Sequence, residues 1–226
     1  MDGLLLYYDR AVAVCDKPVG VLSEPGSARN LPDLAAAALA ERGEAGELRT
    51  VHRLDKAVGG LCVLARTGEA AGKLIAQIAD RSAQKEYFAV LRGRPEADAA
   101  ELEDLLFHDS RVNKTYVVRR PRKGVRAAKL SYRVLDSTER DGQALTLVRV
   151  RLHTGRTHQI RAQFSARGLP LLGDVRYGSR GPRCEVSLRA CYLRFLHPET
   201  GKPMEFFLPP PREYPWDLFD AAVYEP

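Results

Sequence analysis

The feature that most constrains the fold is a succession of short, strand-length apolar runs separated by Gly, Pro, Asp and Asn. Residues 4–8 and 11–15 flank Asp9-Arg10 and predict a hairpin, followed by a turn at Lys17-Pro18-Val19-Gly20. Residues 61–65 are continuously apolar, the pattern of a strand covered on both faces. Further strands are predicted at 87–91, 130–135, 144–152, 188–195 and 204–208. A helix is predicted at 31–42, with Asn30 as cap, Pro32 in the first turn and Gly43 as the stop. A second, at 69–81, carries a stripe of Leu74, Ile75 and Ile78. A third, at 157–166, pairs Ile160 with Phe164 and sets His158, Arg161 and Ser165 on an adjacent face. Strands and helices do not alternate regularly and no repeat is visible. The expected class is therefore α+β, with a large mixed or antiparallel sheet in two lobes flanked by helices and loops. A length of 226 residues fits one domain, 1–226, whose proline-rich tail at 209–226 should lie along the surface.

Charge narrows the partners. Lys and Arg number 35 against 29 Asp and Glu, giving a net charge of +6. That balance favours polyanions, nucleic acid ahead of an anionic membrane, although mild basicity is also common in proteins that bind neither. No run approaches the roughly 18 apolar residues of a membrane span. Met1-Asp2-Gly3-Leu4 has neither a basic flank nor a cleavage site, so a soluble, cytoplasmic protein is expected. Cys15, Cys62, Cys184 and Cys191 form no C-x-x-C pair and sit in or beside apolar runs, as buried thiols do. The histidines are scattered apart from His153 and His158, whose spacing does not share a helical face, so no metal site is expected.

Chemistry concentrates in three stretches. Val51-His52-Arg53-Leu54-Asp55-Lys56 sets a carboxylate between cations on a loop that enters the buried strand. On spacing alone an ordinary charged turn is the more common reading. Protein kinases share a similar His-Arg pair, but the Leu54-Asp55 order, the lack of Asp-Phe-Gly and the lack of a Gly-rich phosphate loop exclude them. In the stretch 154–161 (Thr-Gly-Arg-Thr-His-Gln-Ile-Arg), Gly155 precedes a predicted helix start, and Arg156, His158 and Arg161 add donors for an anion. A solvated helix face would look the same. Tyr87 opens an apolar strand within Lys85-Glu86-Tyr87-Phe88-Ala89-Val90, where a core role is the ordinary reading.

Taken in order, His-Arg-Leu-Asp with two glycines downstream, Lys-x-Tyr-x-Ala-x-x-x-Gly at 85–93, and Gly-Arg-Thr-His-Gln-Ile-Arg resemble the RluA family of RNA pseudouridine synthases. The resemblance extends to the Lys17–Gly20 turn, to 168–174 with Tyr177, and to 188–198. Departures fall at Val58-Gly59-Gly60, where the family usually has Thr-Ser-Gly, and at Gln163 and Arg189, where histidines are usual.

The resemblance implies an enzyme that detaches a uracil from its ribose, turns it and rejoins it through carbon 5, without a cofactor. It implies that Asp55 is the nucleophile or sugar-proton acceptor, that Arg161 pairs with it, and that Tyr87 stacks on the base, on the floor of a basic cleft between two lobes. Arg53 would fill the gap left by the flipped nucleotide, and Leu188 would wall the base pocket or else serve the core. The basic loop Arg119, Arg120, Arg122, Lys123 and Arg126, with Lys129 beside it, would lie against phosphates, with Arg176, Arg180 and Arg183 as a second patch. The expected partner is structured ribosomal or transfer RNA, read mainly through the shape of a stem-loop by a monomer without a separate N-terminal RNA-binding domain. A non-catalytic RNA-binding or ribosome-assembly protein and a base-excising glycosylase are the rival readings.

Overall fold

The computed structural model describes residues 3–26, 28–180 and 184–225; Arg183, one of the expected RNA contacts, lies outside them. In chain order the first elements are β1 (Leu5–Tyr8), β2 (Val12–Lys17), α1 (Leu31–Ala40), β3 (Arg49–Thr50), β4 (Gly59–Ala65) and α2 (Gly68–Ala79). Then come β5 (Gln84–Arg92), β6 (Ala99–Asp109), β7 (Lys114–Val118), β8 (Val125–Arg140) and β9 (Gln143–Leu152). Helix α3 (Gln159–Ser165), β10 (Leu188–Leu196) and β11 (Pro203–Phe207) complete the set. The class is the expected α+β. The chain divides into two compact units, Met1–Lys85 with Arg189–Leu208, and Glu86–Leu188 with Pro209–Pro226.

The first unit holds a mixed sheet ordered β1-β2-β4-β10, with β11 paired to β10 and β3 to β4. Strand β4 is buried at every position, as its unbroken apolar run requires. It runs antiparallel to β2 and parallel to β10. Gly60 makes that last pairing possible: its φ is +111°, and a Cβ there would collide with the backbone of Ala190. Helix α1 starts where Asn30 accepts the N–H of Asp33 at 3.0 Å, and α2 starts where Thr67 accepts that of Ala70 at 3.1 Å. Helix α2 buries Ala70, Ala71 and Leu74 but leaves Ile75 exposed, so its core face is made largely of alanine and is rotated from the expected stripe.

The second unit is an antiparallel sheet ordered β5-β9-β8-β6-β7. Strands β6 and β7 were not expected, and β8 is far longer than the 130–135 core predicted for it. The reason is composition: β6 (Ala-Ala-Glu-Leu-Glu-Asp-Leu-Leu-Phe-His-Asp) is rich in residues of low strand propensity, and long-range pairing overrides them. Helix α3 begins two residues later than expected, because His158 adopts the left-handed conformation at φ 53°. Within the tail, Trp216, Phe219 and Tyr224 are buried while most of the residues around them are exposed. Among the described residues, no helix is long and apolar enough to cross a membrane, and no group of side chains could hold a metal ion. Cys15, Cys62 and Cys191 are buried and Cys184 is half-buried.

Candidate active site

In the first unit, Asp55 sits half-exposed on the loop between β3 and β4, and that loop is held along its length. The hydroxyl of Ser23 donates to the carbonyl of Leu54 at 2.9 Å and accepts the Leu54 N–H at 2.9 Å. The hydroxyl of Thr50 reaches the Ser23 carbonyl at 2.8 Å. Beyond Asp55, the N–H of Val58 closes a turn onto the Asp55 carbonyl at 2.9 Å, and the N–H of Gly20 donates to the carbonyl of Lys56 at 2.8 Å. Buried Val51, Leu54 and Val58 anchor the segment from below. A carboxylate so mounted has little conformational freedom left to lose when a substrate arrives.

His52 is buried and accepts the N–H of Val63 through Nε2 at 3.1 Å, so its proton belongs on Nδ1. Burial, reinforced by the charge of Lys85, pushes its pKa down to about 3 and keeps the ring neutral. It is part of the scaffold beneath the loop. Lys17 is fully buried, with Nζ donating to the carbonyls of Pro18 at 2.9 Å and Val21 at 2.8 Å. Burial lowers its pKa to about 8, while Asp55 and Asp16 pull the other way. Arg53 projects into solvent and pairs with Glu24 at 2.8 Å, an exposed contact that an incoming polyanion can replace at small cost.

Gly59, at the head of β4, stands in register with Arg189 of β10. A Cβ at position 59 would lie 3.4 Å from the Arg189 guanidinium and 3.2 Å from the Lys17 carbonyl. Arg189 in turn pairs with Asp16 at 2.7 Å. The departures at 59 and 189 are thus neighbours: the guanidinium borders the space above Gly59, which the Lys17 carbonyl and Val19 crowd more closely.

In the second unit, Tyr87 is buried on β5 opposite Val150 of β9. Its neighbour Phe88 faces the other side of the sheet and meets the ring of Tyr224 edge-on at 5.1 Å. Glu86 holds Arg149 at 2.6 Å. Arg161 is buried on α3, where its Nε and Nη2 donate to the two carboxylate oxygens of Asp174 at 2.6 and 2.9 Å. His158, also buried, lies with Nδ1 3.0 Å from the Tyr177 hydroxyl. His158 stands outside α3, so only Arg161 and Ser165 of the predicted helical face lie on the helix, but all three residues meet the segment 174–177. Leu188 is buried at the start of β10.

The basic loop connects β7 to β8, the two strands that flank β6, and Arg126 follows it on β8. Arg119, Arg120, Arg122, Lys123 and Arg126 are all exposed, and the guanidinium of Arg122 lies 4.6 Å above the ring of Phe107. Arg156 is exposed and donates from Nε to the carbonyl of Ala127 at 3.0 Å. Lys129 is different: Glu101 and Glu103 flank it at 2.9 and 2.7 Å, so its charge is already compensated. Arg176 is also engaged, donating to the carbonyls of Val112 and Asn113 at 2.7 and 3.0 Å. Ser23 and Asp174 were not singled out from the sequence, since each acts on a residue far along the chain.

The family model described as RNA pseudouridylate synthase matches residues 11–166, a stretch that includes Asp55, Tyr87 and Arg161. The dual-specificity RNA pseudouridine synthase RluA of Yersinia pestis is 32% identical over 211 residues, covering 90% of this chain and 97% of that protein. The ribosomal large subunit pseudouridine synthase D of Pseudomonas aeruginosa is 34% identical over 235 residues, covering 95% and 70%. An uncharacterized RNA pseudouridine synthase of Aquifex aeolicus is 31% identical over 226 residues, covering 93% and 70%. Among solved structures, human RNA pseudouridylate synthase domain containing 1 aligns with a TM-score of 0.75 at 26% identity, covering 95% of this chain and 86% of that one. The chain belongs to the RluA family of RNA pseudouridine synthases.

Proposed function

We propose that this protein isomerises selected uridines of a structured ribosomal or transfer RNA to pseudouridine, with Asp55 as the reacting carboxylate. The observation that carries the reading is the Asp55 loop: a half-exposed carboxylate on a segment fixed by Ser23, Gly20 and Val58, within the stretch that matches the family. Substrate and product have the same composition, so the residues must hold a detached base rather than supply a reagent. Asp55 attacks the sugar carbon or removes a sugar proton as the glycosidic bond breaks. Tyr87 stacks on the freed uracil and helps remove the proton from carbon 5 once that carbon has joined the sugar, while Leu188 walls the base. Arg161 serves Asp55 as its cationic partner, and the fork from Nε and Nη2 to Asp174 supports this by fixing the plane of the guanidinium.

Arg53 fills the space vacated by the flipped nucleotide, which costs a few kcal/mol of unstacking that the protein must offset. The exposed cations of the β7–β8 connection, with Arg156, take up phosphates. The name of the Pseudomonas relative supports ribosomal RNA as a target, and that of the Yersinia relative supports more than one RNA.

The test is Asp55→Asn assayed on RNA containing 5-fluorouridine and on total RNA from cells lacking the gene. The wild-type protein should form a long-lived or rearranged fluorouridine product and restore the missing pseudouridines, and the variant should do neither while still binding RNA. Near-normal pseudouridine formation by the variant defeats the assignment. An inactive wild-type protein that binds RNA tightly would mark a binding protein that keeps the fold, and released free uracil would mark a glycosylase.

A further inference from the structure

The surroundings of Arg161 are built more elaborately than a helix-surface arginine requires. Its side chain is 5% exposed and that of its partner Asp174 is 1% exposed. The aromatic ring of Tyr177 lies under the same guanidinium, 5.0 Å from its central carbon. Both partners come from one tight turn. Gly173, at φ +78°, packs so closely on the backbone of Glu185 that a Cβ would collide with it. The carbonyl of Asp174 then accepts the N–H groups of Tyr177 and Ser179, each at 3.0 Å.

Tyr177 is fixed in its turn. Its hydroxyl accepts the N–H of Thr115 at 2.7 Å and lies 3.0 Å from His158 Nδ1, and its carbonyl accepts the Ser165 hydroxyl at 2.7 Å. Burial raises the pKa of this phenol, so it remains a neutral hydrogen-bonding group.

A buried ion pair is a poor way to gain stability, because desolvation consumes most of the attraction. Its value lies in geometry. A fork to the Nε edge fixes the plane of a guanidinium in a way that a single contact cannot, and a ring beneath it removes the remaining rocking motion. The donors at the far edge are then aimed before substrate arrives, so no reorganisation is needed during reaction.

We propose that Asp174 is a positioning residue for the isomerisation, holding Arg161 in its working orientation with Tyr177 as the platform. This rests on the reading of Arg161 given above. The test compares wild type, Arg161→Lys, Asp174→Asn and the double variant, with Tyr177→Phe and Arg161→Ala alongside. Three quantities are read for each: melting temperature, RNA dissociation constant, and single-turnover rate at saturating RNA.

Asp174→Asn should bind RNA within about twofold of wild type while its turnover falls about a hundredfold, equivalent to roughly 2.7 kcal/mol of barrier. The double variant should be no slower than the worse single one, since both changes disable the same guanidinium. If Asp174→Asn does not fold, Tyr177→Phe, which deletes one oxygen, should still slow turnover several-fold at unchanged RNA affinity. Wild-type turnover in a folded Asp174→Asn or in Tyr177→Phe, with Arg161→Ala inactive, overturns the positioning role alone. An active Arg161→Ala overturns the role of Arg161 as well.

Discussion

Ser23 holds the peptide group of Leu54 from both directions, its one hydroxyl oxygen serving as donor to the carbonyl and acceptor for the N–H, each at 2.9 Å. Both residues are buried, so removing the hydroxyl leaves a backbone donor and acceptor without partners beside Asp55. Ser23→Ala should destabilise the fold by about 1–3 kcal/mol, the range for orphaned buried polar groups. It should also slow turnover more than it weakens RNA binding. A variant with an unchanged melting temperature and rate would show that the loop does not depend on this grip.

Gly59 and Arg189 should behave as a pair. Gly59→Ser sets new atoms against the guanidinium and the Lys17 carbonyl, while Arg189→His breaks the 2.7 Å contact to Asp16. Each single change should lower the melting temperature, and the double variant should be milder than their sum by about 1 kcal/mol or more, the scale of coupling between residues in contact. Strict additivity in thermal unfolding would refute the coupling.

Acid should destabilise the first unit through His52. Its folded-state pKa of about 3 lies below the ordinary histidine value of 6.5. The unfolded chain therefore takes up a proton that the folded chain refuses. The stabilisation is complete above pH 6.5 and is lost progressively as pH falls towards 3, on the order of 2–3 kcal/mol by pH 4.5. Asp9 also has a lowered pKa: burial opposes ionisation, but hydrogen bonds from Tyr7, Val12, Ala11 and His197 outweigh it. Its contribution fades only below the usual aspartate value of 3.8, so Asp9 does not contribute between pH 4.5 and 6.5, and comparison with a His52 variant separates this ring from the other histidines. Denaturant titrations of His52→Gln across that window should show a flatter dependence than wild type; parallel curves would remove His52 as the cause.

Arg119, Arg120 and Arg122 are exposed on one connection, and no acid among the described residues forms a salt bridge with them. Replacing all three by Ala should reduce the slope of log affinity against log salt by about 2–3, close to one counterion for each phosphate no longer neutralised. Replacing Lys129, already flanked by Glu101 and Glu103, should leave the slope nearly unchanged. Equal effects from both would mean that the basic loop has no privileged hold on RNA.

Local chemistry was the part of this molecule legible from sequence. The Asn30 cap of α1, the buried run of β4 and the Arg161–Ser165 face of α3 are set by residues within a few positions of one another, whereas the left-handed turn at His158 was not visible. Strand β6 was invisible because its acids Glu101, Glu103 and Asp104 disfavour a strand until β8 lies beside it, where Glu103 faces Lys129. Arg161 could be picked out, but its Asp174 fork spans 13 positions and its Tyr177 platform depends on a glycine turn. Ser23 lies 31 positions from Leu54 and has no neighbouring pattern that would mark it.

The only tryptophan of the chain lies close to the strand that bears Tyr87. Trp216 offers its carbonyl to the Tyr224 hydroxyl at 2.8 Å, and the ring of Tyr224 rests on Phe88, the residue next to Tyr87. An indole at that remove is an intrinsic optical gauge: a displacement of Tyr224 against Phe88 should change its emission, with no label attached.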